Sequence, residues 1–386
     1  MSVLGTEGAF EVLARAKELE RAGKSVIHLE IGEPDFDTPP HIKDAAIKAL
    51  RDGFTHYTPS AGLFEAREAV AEFVARTRRI PVDPTEVVIT PGSKPIMLFA
   101  ILALVNPGDE VIYPDPGYPI YESVARFAGG IARPLPLREA RGFRFDPDEL
   151  RRLITPRTKL LILNSPHNPC GSMLTGDDLR AITEAVAASS VTVLADEIYW
   201  QITYDGAHQS IASLPGMKDR TILLDGFSKA YAMTGWRLGF GVMPPALAAK
   251  MTQLMVNSNS CAAAFTQLAG IAALRGPQEP VRAMVAEFRR RRDVVVAGLN
   301  AIEGVTCAVP SGAFYVFPNV SRIDADGKRL ADFLLTDAGV AVLSGTAFGA
   351  HGQGYLRLSY ANSVDNIREG LARMANAFKQ YRAPVR

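Results

Sequence analysis

Cysteine is scarce in this chain, and so is any imbalance of charge. Of 386 residues only three are cysteine (Cys170, Cys261 and Cys307), widely spaced and without a CxxC pair. So sparse and odd a set argues against a disulfide framework or a thiolate zinc site, and predicts reduced thiols and a cytoplasmic setting. Lysine and arginine total 42 against 41 aspartate and glutamate, for a formal charge of +1. No excess of either sign is available to hold nucleic acid, a membrane surface or a polyanion. Long apolar runs are missing too. The longest near a helical pattern, Ile96 to Val105, falls far short of the roughly 20 residues that span a bilayer. The opening stretch MSVLGTEGAFEVLARAKELE is amphipathic with early acids, unlike the basic-then-apolar plan of a signal peptide.

Familiar nucleotide and hydrolase motifs are also absent. There is no GxGxxG, GxxxxGK[ST], HExxH or GxSxG, and the six histidines show no metal-ligand spacing. A dinucleotide-binding dehydrogenase, a P-loop enzyme and a zinc hydrolase are thereby disfavoured, and no metal site is expected.

What is present is an ordinary globular composition, 47% hydrophobic and 22% charged, long enough for two or three folding units. Short β-branched or Leu-rich runs bounded by Gly, Pro, Asn and Asp predict strands at Glu86–Thr90, Glu110–Tyr113, Leu160–Leu163, Val191–Ala195, Thr221–Leu224 and Arg237–Met243. Helical stretches between them, such as Pro95–Val105 and Thr175–Ala188, suit crossover connections. The fold class is therefore α/β, with a mainly parallel sheet flanked by helices. After about Gln278 the pattern changes to a long Arg-rich amphipathic helix, Pro280–Leu299. Shorter strands are predicted at Val305–Val309, Ala313–Phe317 and Tyr355–Ser359, with a closing helix from Val364 to Tyr381. This predicts a large domain over residues 44–280 and a smaller α+β domain built from 1–43 and 281–386.

Polar residues gather just after predicted strands, at the sheet rim where open α/β folds bind ligands. They include Asn164-Ser-Pro-His-Asn168-Pro-Cys-Gly171, Asp196-Glu-Ile-Tyr199, and Asp225-Gly-Phe-Ser228-Lys229 running on to Arg237. Each alone has an ordinary reading. Asn168-Pro-Cys-Gly is turn chemistry, Asp196 could cap a helix, and Lys229 and Arg237 could be solvated or paired.

Together, GFSKAYAMTGWRLGF, IGEPDFDTP, HYTPSAGL, PGDEVIYPDPGYPIY, NSPHNPCG, LADEIYW, SGAFYVFP and YLRLSYA strongly resemble the class I/II aminotransferases. These are pyridoxal-phosphate enzymes of fold type I, in the aspartate aminotransferase superfamily. The resemblance runs from about Ile31 to Ala361 and implies a seven-stranded-type sheet, a pyridoxal 5′-phosphate cofactor and a homodimer with a shared active site. By position, Lys229 matches the lysine that carries the cofactor, and Asp196 the carboxylate facing its pyridine nitrogen. Asn168 and Tyr199 match the partners of the ring's phenolic oxygen, and Tyr118 the stacking aromatic. Ser93 and Lys94, opening a helix after a strand, with Ser228 and Arg237, resemble phosphate contacts. Tyr57 matches a tyrosine that reaches the phosphate from the neighbouring subunit. Arg357 matches the planar fork for the substrate's α-carboxylate, approached also by Gly32 and Asn168.

The chain departs from the family at Cys170, where threonine is common, and at Lys94-Pro95. Relatives acting on dicarboxylic substrates can carry a lysine at the place of Lys94, and aspartate with 2-oxoglutarate is the substrate pair expected here. The lid is expected from Gly5 to Val12. A β-lyase or decarboxylase on the same scaffold would share Lys229, Asp196 and Arg357. A non-enzymatic sensor would carry a basic DNA-binding segment, and none is expected before residue 31.

Overall fold

Seven strands meet in one sheet, and their order explains how distant motifs come together. The computed structural model describes residues 4–382; the ends of the predicted small domain, 1–3 and 383–386, lie outside the described residues. In chain order the strands are β1 (Ile27–His28), β2 (Val87–Thr90), β3 (Glu110–Asp115), β4 (Ile131–Pro136), β5 (Thr158–Asn164), β6 (Thr192–Asp196), β7 (Thr221–Gly226), β8 (Gly239–Val242), β9 (Tyr315–Val316), β10 (Val340–Ala341), β11 (Leu343–Ser344) and β12 (Leu356–Ser359). The main sheet runs β2-β8-β7-β6-β5-β3-β4. The strands β4, β3, β5, β6 and β7 pair in parallel, and β8 runs against both β7 and β2.

The central strands are continuously apolar because helices cover both faces. Leu160, Leu161, Val193, Leu194 and Ile222 are all fully enclosed. Local signals set the helices. Thr175 and Asp178 form a reciprocal capping box that starts Gly176–Val186. Pro95 sits in the first turn of Lys94–Leu104, where its missing N–H costs nothing.

Two strand expectations need correcting. β4 was not predicted: the run Ile-Ala-Arg-Pro-Leu-Pro carries two prolines and lies at the sheet edge, where a missing donor is tolerated. Conversely, Val305–Val309 is not a strand. It contributes one isolated bridge, Thr306 to Asn319, because Val309 is 60% exposed and Pro310 follows.

The N-terminal segment joins the C-terminal unit through β1, which pairs in parallel with β10. There β12 lies between β11 and β9 in a small antiparallel sheet. The 22-residue helix Glu279–Asn300 links this unit to the main sheet. The predicted boundaries at 43/44 and 280/281 fall inside helices Pro40–Arg51 and Glu279–Asn300. Among the described residues no helix is long and apolar enough to cross a membrane.

Candidate active site

The C-terminal ends of β5, β6 and β7 open into a cavity of about 600 Å³. β12, the Ile31–Glu33 segment and the start of the N-terminal helix Gly8–Arg21 close it from the other side. Of the twelve residues singled out from sequence, eleven line this cavity, and Tyr57 does not. Tyr57 is 89% exposed on the surface.

Asp196 ends β6 and lies level with Asn164 at the end of β5. Asn164 Nδ2 donates to the Asp196 carbonyl at 3.1 Å, and Asn164 Oδ1 accepts the Asn168 N–H at 2.8 Å. The Asp196 carboxylate accepts from Tyr121 Oη at 2.6 Å and from the Ile198 N–H at 3.2 Å. Burial pushes this acid up to about 6, while those two donors pull it back. A cationic ring nitrogen placed against it would favour the ionised form.

Lys229 follows the end of β7, and its Nζ donates to the Gly32 carbonyl at 2.6 Å. Burial lowers its pKa to about 8, and Arg357 and Arg237 act in the same direction against Glu33. This side chain can therefore be a neutral amine near physiological pH. The ring of Tyr199 lies 5.9 Å from Lys229 Nζ, and Tyr199 Oη is 2.8 Å from Tyr315 Oη.

Gly32 is required where it stands. A Cβ there would lie 2.1 Å from Tyr315 Oη, so only glycine lets the Ile31–Glu33 backbone approach both Tyr315 and Lys229.

Arg357, on β12, is 3% exposed. One of its terminal nitrogens donates to the Glu30 carbonyl, and its Nε is buried without a partner among the described residues. The guanidinium packs 4.6 Å from the Tyr315 ring centroid and 5.2 Å from that of Phe348. Buried, fixed and under-bonded, it is poised for a carboxylate.

Three glycines build the adjoining cradle. Gly239 pairs with Gly226 on one side and Thr90 on the other. A Cβ on Gly239 would lie 2.4 Å from Ser93 N, one on Gly226 2.2 Å from Ser93 Oγ, and one on Gly92 2.3 Å from an Arg237 guanidinium nitrogen. Bare backbone therefore brings the first turn of helix Lys94–Leu104, Ser228 and Arg237 to one spot. The unpaired N–H groups of a helix start and an arginine suit a phosphate. Arg237 Nη1 donates to the Thr234 carbonyl at 2.8 Å, and Ser93 Oγ donates to the Asp225 carbonyl at 2.7 Å.

Lys94 departs from expectation. Its side chain leaves the cradle and pairs with Glu7 at the cavity mouth, because Glu7, just before helix Gly8–Arg21, brings an anion within reach. Glu7 Oε1 also accepts from Tyr118 Oη at 2.5 Å.

The relation to known proteins agrees with this geometry. Residues 24–374 match the family model for aminotransferase class I and II. The chain is a class I/II aminotransferase. It is 41% identical over 379 residues to the aspartate aminotransferase of Geobacillus stearothermophilus, with 96% of each chain covered. It is 40% identical over 367 residues to aromatic-amino-acid aminotransferase 2 of Thermococcus litoralis, with 94% of each covered. Among solved structures, the aspartate aminotransferase from Thermus thermophilus with maleate superposes at a TM-score of 0.93, with 39% identity and coverage of 97% of this chain and 98% of that one. The fold is that of the type I aminotransferases, and the enzyme is pyridoxal-phosphate-dependent and transfers amino groups. The cavity of this aminotransferase fits that cofactor on its own evidence. Asn168 Oδ1 is buried without a partner among the described residues, an amine stands beside an acid, and the glycine cradle leaves room for an anion.

Three contributors were given no role from sequence: Tyr121, Asn164 and Tyr315. Tyr121 follows Tyr118 by three residues in GYPIY, one helical turn on, and that spacing was the available signal. Tyr315 stood in the quoted SGAFYVFP motif without a role. Asn164 pairs with Asp196 only through strand register, which the sequence does not state.

Proposed function

We propose the following residue roles and substrates for this aminotransferase. Lys229 holds the cofactor covalently through Nζ, Asp196 faces the ring nitrogen, and Tyr118 lies over the ring. Asn168 and Tyr199 hold the phenolic oxygen. The backbone N–H groups of Ser93 and Lys94, with Ser228 and Arg237, hold the phosphate, and Tyr57 of a second subunit completes that site. Bound there, pyridoxal phosphate supplies an electron sink for the pair released when the substrate's Cα–H bond breaks.

The protein's own groups do the rest. Arg357 grips the substrate α-carboxylate as a planar fork, with Gly32 and Asn168 beside it, fixing which bond at Cα faces Lys229. The Lys229 amine, neutral above about pH 8, removes the proton from Cα of the amino-acid substrate in one half-reaction and hands it on within that half-reaction, and in the other it delivers a proton to Cα of the incoming oxo acid. The two half-reactions make a ping-pong cycle in which an L-amino acid becomes a 2-oxo acid and a second oxo acid is aminated. The observation that carries this reading is the convergence of Asp196, Lys229 and Arg357 on one cavity beside a phosphate-sized glycine cradle.

Aspartate with 2-oxoglutarate is the pair we assign. Lys94 at the cavity mouth supports a side-chain carboxylate, once that carboxylate exchanges with Glu7. The division into domains of 44–280 and of 1–43 with 281–386 supports closure of the smaller unit when substrate bridges Arg357 and the lid. Exposed Ile47, Leu50, Phe54 and Tyr57 support a homodimer, and the composition supports a cytoplasmic enzyme.

Single-turnover spectroscopy against a panel of amino acids tests the assignment. Rapid loss of the bound-cofactor band is expected with aspartate and glutamate, and slow loss with alanine and phenylalanine. Lys229→Ala should lack that band. A wild-type protein that takes up no chromophore would defeat the reading.

A further inference from the structure

A second cavity, of about 1030 Å³, shares no lining residue with the one around Lys229. It lies between the end of helix Phe64–Arg78, the segment 200–213 that follows β6, and the start of helix Glu279–Asn300. Four arginines and a histidine line it, and no aspartate or glutamate does. An enclosed surface of one sign concentrates oppositely charged solutes.

The floor carries a donor with nothing to bond. The His208 side chain is 5% exposed, and its Nε2 faces Glu197 Oε2 at 3.4 Å. Trp200 Nε1, which can only donate, is buried and has no hydrogen-bond partner among the described residues. Buried polar groups are ordinarily satisfied, so this indole on the cavity wall calls for an acceptor. Arg78, also on the floor, is committed to Glu197 at 2.9 Å and Asp225 at 2.6 Å.

The rim carries exposed cations. Arg76 and Arg79 make no ion pair among the described residues, whereas Arg282 is held by Glu279. Arg79 ends its helix in the left-handed conformation, with φ 57° and ψ 45°. Glycine or asparagine would adopt that backbone more cheaply. An arginine there points to a use for its side chain.

We propose that this cleft binds a small oxyanion-bearing molecule, a carboxylate or phosphate, between Arg76 and Arg79 at the rim and the Trp200 N–H group at the floor. Its occupant would sit one ion pair away from the active site. Arg78 joins the cleft wall to Glu197, which follows Asp196, and to Asp225, which precedes the Lys229 turn.

The test is a titration of the holoenzyme with sodium phosphate, and separately with citrate, at an ionic strength held constant by chloride. The chain has two tryptophans, so two indole N–H resonances report, and Trp200→Phe identifies the relevant one. A saturable shift of the Trp200 resonance is expected. Its affinity should fall at least ten-fold in the double variant Arg76→Gln/Arg79→Gln, whose side chains are exposed and whose fold should stand. The shift should persist in Arg357→Leu, which damages only the cavity around Lys229. Tighter binding of citrate than phosphate would mark a polycarboxylate, and the reverse a phosphate ester. No saturable shift beyond chloride, an affinity indifferent to Arg76 and Arg79, or a shift lost with Arg357 would each overturn the proposal.

Discussion

Tyr121 donates a 2.6 Å hydrogen bond to Asp196 from inside the protein, with its own side chain wholly buried. That bond opposes the burial that raises Asp196 to about 6. Removing it in Tyr121→Phe should raise the Asp196 pKa further, by about one unit, since a hydrogen bond to a charged group contributes about 1.5–3 kcal/mol. In the cofactor-free protein the pH midpoint for cofactor uptake should move to higher pH, with uptake largely recovered toward pH 9. A profile that drops uniformly at every pH would show that Tyr121 acts only by packing.

The lowered pKa of Lys229 gives a second expectation. In the cofactor-free protein, reductive methylation of Lys229 should show a midpoint near pH 8, well below the roughly 10.4 of solvated lysines. Linkage fixes the sign for stability. Between pH 8 and 10.5 the unfolded chain holds the proton and the folded one does not, so this group's contribution rises with pH in that window. Below pH 8 the penalty is complete. Cofactor-free Lys229→Met should therefore be more stable than wild type at pH 7, by about 1–3 kcal/mol, with the gap closing toward pH 10. Denaturant midpoints at the two pH values check this.

Gly32→Ala should damage both fold and activity. Its Cβ would lie 2.1 Å from Tyr315 Oη but 3.0 Å from Tyr315 Cζ, so the hydroxyl is the main obstacle. We expect a loss of about 2–3 kcal/mol, in the range of overpacked cores, with a fall in kcat/KM of two orders of magnitude or more. Adding Tyr315→Phe should restore part of the melting temperature. If the double variant is no more stable than Gly32→Ala, the clash lies elsewhere.

Glu7 holds Lys94 and Tyr118 at the mouth of the cavity. Glu7→Gln should free Lys94 and remove a charge that repels acidic side chains. The ratio of kcat/KM for aspartate over phenylalanine should rise about ten-fold, chiefly through KM. Lys94→Met should push the ratio the other way. Equal ratios in all three proteins would remove both residues from substrate choice.

Much of this molecule was legible in its sequence because local and global signals agreed. The capping box at Thr175, the apolar runs of β5 to β7 and the long helix after Gln278 each reported the element that formed. The exceptions have physical causes. β4 is an edge strand with two prolines, a composition that propensity assigns to loops. Val305–Val309 has strand-like residues but meets no partner strand. Within the site, residues named for chemistry were found by motif, whereas Tyr121 and Asn164 act by orienting Asp196 through packing and register. The direction taken by the Lys94 side chain depends on Glu7, 87 residues away in sequence, and no local pattern reports such a pairing.

The antiparallel pairing of β7 with β8 has a consequence for how this enzyme can vary. Gly226 and Gly239 are locked opposite each other, so the intervening segment is tethered at both ends, and both Lys229 and Arg237 ride on it. Exchanging side chains along that tether alters one contact at a time. Adding or deleting a single residue would swing the amine and the guanidinium out of phase together. Variation here should thus be confined to letters and never to spelling length.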